Sequence, residues 1–315
     1  MKQPDLLFSV VICTYNRAAL LRMVLESLIV QQLDHSRFEV LVVDNNSTDE
    51  TRAVSEEFIS RAPHVRYVLE RRQGLSYARN RGYEEARGCY IAYSDDDNQL
   101  PPDWLHTAVT IVEREGAGVF GGPSRAFFIT PRPRWFSPTY AVFSPSWSAG
   151  DLQPSQFLCG NNIFIRKTLL EAIGGFDPQM GMQGDKLGYG EETELIARIR
   201  DRLPHERIFY DPALWVYHLV RPNKMRLRWR IYQQFAVGQY SYQVFKLANR
   251  QGRLALIALG LLRALVLVGE LIYAFTLRNR QRYPAAQNYL YERVSRHSMA
   301  YGIAYARFCA NQTWL

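Results

Sequence analysis

The sequence predicts an α/β fold, a mostly parallel sheet flanked by helices, with a basic, partly hydrophobic helical region after it. Three observations carry this. Short apolar runs alternate with amphipathic stretches from Phe8 to Glu115 at the spacing of βαβ units. The apolar runs end in polar clusters. Charge is split along the chain: residues 1–211 carry 23 Lys+Arg against 28 Asp+Glu, whereas residues 212–315 carry 15 against 2. The 315 residues, 47% hydrophobic and 22% charged, have the composition of a globular protein.

Phe8–Cys13 (FSVVIC) is a β-branched run and reads as a buried strand. Ala18–Gln31 places Leu20, Leu21, Val24, Leu25 and Leu28 at helical spacing. Phe38–Val43 (FEVLVV) is a second buried strand, and the polar run Asp44–Asp49 supplies turn and cap residues for a helix over Glu50–Arg61. Val65–Leu69 is a third strand, Ser76–Arg87 a helix, and Tyr90–Tyr93 a fourth strand running into Asp95-Asp96-Asp97. Pro101-Pro102 opens a helix around Asp103–Glu115. Residues 123–157 are rich in Pro, Ser and aromatics without a period, an irregular segment of the kind that is usually functional or mobile. Its Trp135, Phe136, Tyr140 and Trp147 are candidates for stacking on a ligand, against the commoner role of core packing. A strand resumes over Leu158–Ile165, followed by a helix at 168–173, a Gly-rich loop at 178–190, a helix at Glu191–Arg202 and a strand near Ile208–Tyr210.

Leu254–Leu277 is long enough to span a bilayer, but Arg263 and Glu270 make a simple span costly. Arg253, Gly260, Arg263, Glu270, Ala274 and Arg278 share a face opposite the leucines, which fits a helix lying in the membrane interface or re-entering it. The plainer alternative is a helix packed on the protein's own core. Arg221, Lys224, Arg226, Arg228 and Arg230 form a basic stretch suited to a diphosphate or to anionic headgroups, or to solvent alone. Nucleic acid would also answer the basic charge, but no nucleic-acid motif accompanies it, and it is not the expected partner. Cys13, Cys89, Cys159 and Cys309 form no CxxC pair and no zinc spacing. With no signal peptide before the first strand, they point to a reducing, cytoplasmic setting, peripheral on or partly inserted in the inner face of the cell membrane.

Ligands of open parallel sheets bind beyond the carboxyl ends of the strands. Thr14-Tyr15-Asn16-Arg17, Asp44-Asn45-Asn46 and Asp95-Asp96-Asp97 all fall at such ends, which predicts one carboxylate-rich mouth. Clustered carboxylates repel and favour a divalent cation, and hard oxygen ligands suit Mg²⁺ or Mn²⁺.

The runs SVVICTYNR, EVLVVDNNSTDET, GLSYARNRG and YIAYSDDDNQLPPDWL, followed by CGNNIFIRK, GGFDP and GEETELIARI, resemble glycosyltransferase family 2 in order and spacing over roughly residues 8–220. The resemblance implies the Rossmann-like GT-A fold and an inverting, hexosyltransferase-type enzyme. Its donor would be a nucleotide-diphosphate sugar, by the family's commonest usage a UDP-sugar. Its acceptor would be a hydroxyl of a saccharide or lipid-linked molecule in polysaccharide or glycolipid synthesis. Carried over by position, the resemblance assigns Thr14, Tyr15, Arg17, Asp44, Arg79, Asn80, Asp95 and Asp96 to the donor. The DxD pattern falls on Asp95-x-Asp97, with Asp97 and Asp95 on the metal and His218 as a further ligand. The family's acidic pair is usually Glu-Asp. Here it is Glu191-Glu192, so Glu192 is expected as the base and Glu191 as its rival or partner. A helix start favours acidic residues by dipole alone, which is the plainer reading of that pair. The implied organisation is a catalytic domain over 1–220, its nucleotide half about 1–122 and acceptor half about 123–220. A helical region over 221–315 would carry a membrane-associating helix at about 254–277. A nucleotidyltransferase would want a glycine-rich phosphate loop, which CTYNRAAL lacks. A non-catalytic sugar-nucleotide or glycan binder would not need Asp95, Asp97 and Glu192. A retaining two-carboxylate glycosidase leaves the nucleotide-type clusters without a purpose.

Overall fold

The computed structural model describes residues 6–141, 143–184, 186–245 and 253–310. These form two compact units, the first made of Met1–Phe127, Ala141–Lys186 and Glu191–Leu219, the second of Phe128–Tyr140, Leu187–Gly190 and Val220–Leu315.

In the first unit the expected alternation is present. β1 (Phe8–Thr14), α1 (Ala18–Leu28), β2 (Phe38–Asp44), α2 (Thr51–Arg61), β3 (Val65–Leu69), α3 (Leu75–Glu85) and β4 (Tyr90–Asp95) follow one another. Next come β5 (Asn98–Gln99), α4 (Trp104–Glu115), β6 (Val119–Gly121), β7 (Ser124–Phe127), β8 (Gly150–Asp151), β9 (Asn162–Arg166), α5 (Lys167–Ile173), α6 (Glu191–Arg202), β10 (Ile208–Tyr210) and β11 (Val216–Leu219). Eight strands make one sheet in the order β3-β2-β1-β4-β9-β6-β10-β8, and β5-β11-β7 make a second.

β1, β2, β3 and β4 run parallel. Their register sets Thr14 opposite Asp44 and Cys13 opposite Asp95, so three polar clusters end at one edge. β9 departs from the parallel expectation. It starts at Asn162 rather than Leu158 and runs antiparallel to both β4 and β6. An apolar run carries no mark of its direction, so sequence periodicity could not reveal this. Reversal brings the beginning of β9, with Ser94 opposite Asn162, to the edge where β4 ends.

Side chains alternate across the strands with period two. Val10, Ile12, Val40 and Val42 join Leu21, Leu25, Phe58 and Leu105 on one face. Val11, Leu41 and Val43 join Ala78, Leu170, Leu195 and Ile199 on the other. Phe8, Phe38, Phe58, Phe120 and Phe164 are fully enclosed. Each such ring contributes about 1.5–3 kcal/mol relative to exposure, which holds the strand ends in place.

The second unit contains α7 (Leu227–Phe245), α8 (Arg253–Thr276) and α9 (Ala286–Ala310). α7 and α9 touch backbone to backbone at two glycines. A Cβ on Gly238 would lie 2.0 Å from the Met299 carbonyl oxygen, and one on Gly302 would lie 2.0 Å from that of Phe235. Trp135 and Phe136 are buried in this unit. Trp135 packs on Tyr140 and Tyr291, its carbonyl accepts from Asn288, and Arg230 lies over the Phe136 ring. Tyr140 donates to Glu292 at 2.9 Å. In the first unit Trp147 packs edge-on against Tyr210 and Phe143. For Trp135 and Phe136 the suggestion of ligand stacking gives way to core packing, whereas Tyr140 and Trp147 are half-buried against other rings.

α8 bears out the predicted two-sided pattern. Ala274 is buried with Tyr289 and Leu290, and Glu270 accepts from Tyr289 and Arg293. Leu261, Leu262, Leu265, Val268, Ile272, Phe275 and Leu277 are exposed. Among the described residues no helix is long and apolar enough to cross a membrane.

Candidate active site

The site is built where β1, β2 and β4 end together. Asp96 leaves β4 and turns back into the protein, 1% exposed. Thr14 Oγ1 donates to its Oδ2 at 2.9 Å and Arg17 Nη1 to its Oδ1 at 2.8 Å. Burial pushes the Asp96 carboxyl up to about 6, against the pull of Arg17. Two donor candidates, Thr14 and Arg17, thus hold a third, Asp96. Tyr15 is half-buried on the same loop.

Asp44, at the end of β2, accepts from the Ser47 amide and from the Tyr67 hydroxyl, both at 2.8 Å. Asn45 beside it accepts from the Gly74 amide and donates to the Arg72 carbonyl. Short polar side chains after a strand stabilise turns by such local bonds. They fix the loop between β3 and α3 against the end of β2.

Asp95 and Asp97 face a different way from Asp96. Together with His218, which β11 carries opposite Asn98 of β5, they form a group whose ligand atoms lie within 4.8 Å of one another. His218 Nε2 is buried 3.0 Å from Asp97 Oδ1, yet makes no hydrogen bond of normal geometry. Two carboxylate oxygens and an imidazole nitrogen converging in this way suit a divalent cation, and the mixed oxygen and nitrogen set accommodates Mn²⁺ well.

Arg79 joins this group to the acidic pair at the start of α6. It is buried, donates to Glu191 Oε1 at 2.9 Å and to the Gly160 carbonyl at 3.3 Å, and lies 4.0 Å from Asp95 Oδ1. One guanidinium therefore faces Glu191, Glu192 and Asp95, and cannot neutralise all three. Burial first, then the charge of Glu192, pushes the Glu191 carboxyl up to about 8 despite Arg79. Glu192 is half-buried beside it. Cys159 feels Glu192, Asp95 and Glu191, and burial raises its thiol. Cys13 lies by Arg79 and Asp95, and burial pushes its thiol up to about 12. Both sulfhydryls therefore stay neutral beside these charged groups.

Two donor candidates, Arg79 and Asn80, already have protein partners. Arg79 is spent on Glu191, Gly160 and Asp95 and has little surface left for a diphosphate. Asn80 donates to the Phe176 carbonyl and accepts from the Phe176 amide, both at 2.8 Å, so it pins the turn after α5. Sequence reasoning gave no role to Cys159 or to Asn161, whose buried Oδ1 lacks a hydrogen-bond partner at the start of β9. The pairing of GNN with a reversed strand was the signal, and the direction of that strand was hidden.

The family model described as Glycosyl transferase family 2 matches residues 9–174, just over half of the chain. The chain is 27% identical over 231 residues to the succinoglycan biosynthesis protein ExoM of Rhizobium meliloti, covering 72% of each. It is 28% identical over 249 residues to a glucosyl-dolichyl phosphate glucuronosyltransferase of Haloferax volcanii, covering 77% of this chain and 78% of that one. Among solved structures, a mannosyltransferase from Pyrobaculum calidifontis in complex with GDP-Man and Mn²⁺ superposes with a TM-score of 0.59 at 19% identity, over 98% of this chain and 75% of that one. With its mixed sheet, its strand-end acidic clusters and these relatives, the chain belongs to glycosyl transferase family 2 and is a glycosyltransferase of GT-A fold.

Proposed function

We propose that the enzyme transfers a sugar from a UDP-sugar to a hydroxyl of a saccharide or lipid-linked acceptor, with inversion, at the inner face of the cell membrane. The observation that carries the reading is the link from Asp95, Asp97 and His218 through Arg79 to Glu191 and Glu192.

Asp95, Asp97 and His218 would hold Mn²⁺ or Mg²⁺. When bound, the cation supplies positive charge to the departing nucleoside diphosphate, where negative charge grows in the transition state. Tyr15 and the residues around Asp44 bind the nucleoside; each Asp44 oxygen keeps a second lone pair beyond Ser47 and Tyr67. Arg79 is a positioning residue that holds Glu191 against α3. Glu191, with its pKa near 8, keeps its proton at neutral pH and is closed off by Arg79. That leaves the more exposed Glu192 to take the proton from the acceptor hydroxyl. With Glu192 as the base, one in-line displacement by the acceptor hydroxyl gives inversion.

The Haloferax relative is named for a lipid-phosphate-linked substrate and the Rhizobium relative for succinoglycan biosynthesis, which supports a polysaccharide or lipid-linked acceptor here. The Pyrobaculum structure holds a GDP-sugar, so UDP must be tested against GDP. The exposed apolar face of α8 supports the membrane surface.

A panel of UDP- and GDP-sugars with Mn²⁺, read by nucleoside diphosphate release, tests the reading. Asp97→Ala and Glu192→Gln should each lower turnover by about 10²-fold or more, with donor affinity kept only in Glu192→Gln. Unchanged turnover in Glu192→Gln would remove it as the base. A product of retained anomeric configuration would remove the inverting route.

A further inference from the structure

We propose that α8 and α9 form a phosphate-binding cavity for an anionic phospholipid of the membrane surface. This rests on the membrane-face reading above and makes it specific. Arg263 of α8 and Arg293, Arg296, His297 and Ala300 of α9 line a cavity of about 330 Å³. Glu270 pairs with Arg293 at 3.1 Å. No acidic side chain pairs with Arg263 or Arg296 among the described residues. Guanidinium groups converging on a small cavity are the side chains that phosphate oxygens satisfy best.

The flank of the cavity decides which phosphate. Arg263 lies between Leu262 and Leu265 on a helix whose outward residues are apolar; Leu265 is 72% exposed and Phe275 66%. A soluble anion would fill the cavity and leave those residues in water. A phospholipid answers both, its phosphodiester in the cavity and its acyl chains against the leucines. A second copy of this chain would cover the leucines but would bring the same arginines with it. Residues 212–315, with 15 basic and 2 acidic side chains, carry the same sign.

The test is sedimentation of the full chain with vesicles of phosphatidylcholine, with and without phosphatidylglycerol. Wild type should pellet with the anionic vesicles about ten-fold more tightly than with the neutral ones. Arg263→Gln/Arg296→Gln should lose about that factor, and Leu265→Gln/Phe275→Gln should lose binding to both. Nucleoside diphosphate release in detergent should be unchanged in both variants, which verifies their folding. Inorganic phosphate should compete with wild type only. Wild-type pelleting that ignores phosphatidylglycerol and the arginine changes overturns the cavity while leaving the membrane-face reading standing. No pelleting at all overturns both. Thermal protection by inorganic phosphate without vesicle binding also overturns the lipid assignment. So does self-association abolished by Leu265→Gln/Phe275→Gln in the absence of vesicle binding.

Discussion

Arg79 donates to Glu191 and to the Gly160 carbonyl, so removing its guanidinium would leave two buried oxygens without their donor. Arg79→Met should cost about 1–3 kcal/mol of stability at neutral pH, and Arg79→Met/Glu191→Leu should recover most of it. Urea unfolding of the two variants measures this, and equal losses would mean the pair is not coupled. Glu191 also sets a pH dependence. Its folded pKa of about 8 lies above its ordinary value of 4.5, so the folded state binds the extra proton between them. The stabilisation is complete below about pH 4.5 and is lost as pH rises through 8. In that window stability should fall by up to about 1.4 kcal/mol per pH unit, and Glu191→Gln should flatten the slope. Asn80→Ala should lower stability by about 1–3 kcal/mol by freeing the Phe176 backbone, with donor KM unchanged. A raised KM at intact stability would return Asn80 to the donor site. Asp44, Asp95 and Asp97 could be picked out in the sequence because they fall at strand ends, whereas His218, inside β11, and Glu191-Glu192, at the start of α6, were reached through the family resemblance. The work of Arg79 could not, because its partner lies 112 residues away and nothing local distinguishes a buried arginine from a surface one.

At the scale of elements, α7 and α9 are separated by a carbonyl's width at Gly238 and Gly302. Gly302→Val would drive its Cβ into the Phe235 carbonyl and force the helices apart, a change of overpacking type worth about 1–3 kcal/mol or more. Thermal unfolding followed by helical circular dichroism should show it, whereas Gly269→Ala, with open space around it, should be neutral or stabilising. Apolar periodicity gave β1 to β4, β9, β10 and the helices of the first unit to within a few residues, because each buries one side against a shared sheet; the short β5, β6, β7, β8 and β11 carried too little pattern to be read. It also told the polar side of α8 from the apolar one, although there the apolar side is the exposed one. It did not give β9 its direction, β7 and β11 their pairing, or the glycine contact, since each depends on a partner far along the chain.

At the scale of the molecule, Thr14, Asp95, Asp97, Glu191, Glu192 and His218 all belong to the first unit. A UDP-sugar with Mn²⁺ at 100 times its Kd should therefore stabilise that unit by about 2.7 kcal/mol and leave the second unit's unfolding in place. Calorimetry with and without the pair checks this, and a uniform shift of every transition would contradict it. The units are not consecutive, however: residues 128–140 leave the first to join the second. A shortened gene ending after residue 220 would therefore not release a tidy catalytic half. It would strand Trp135 and Phe136 in water, stripped of Asn288, Tyr291 and Arg230. Such a fragment should clump in the cell, and anyone wishing to trim this enzyme must first resculpt the passage that carries those two rings.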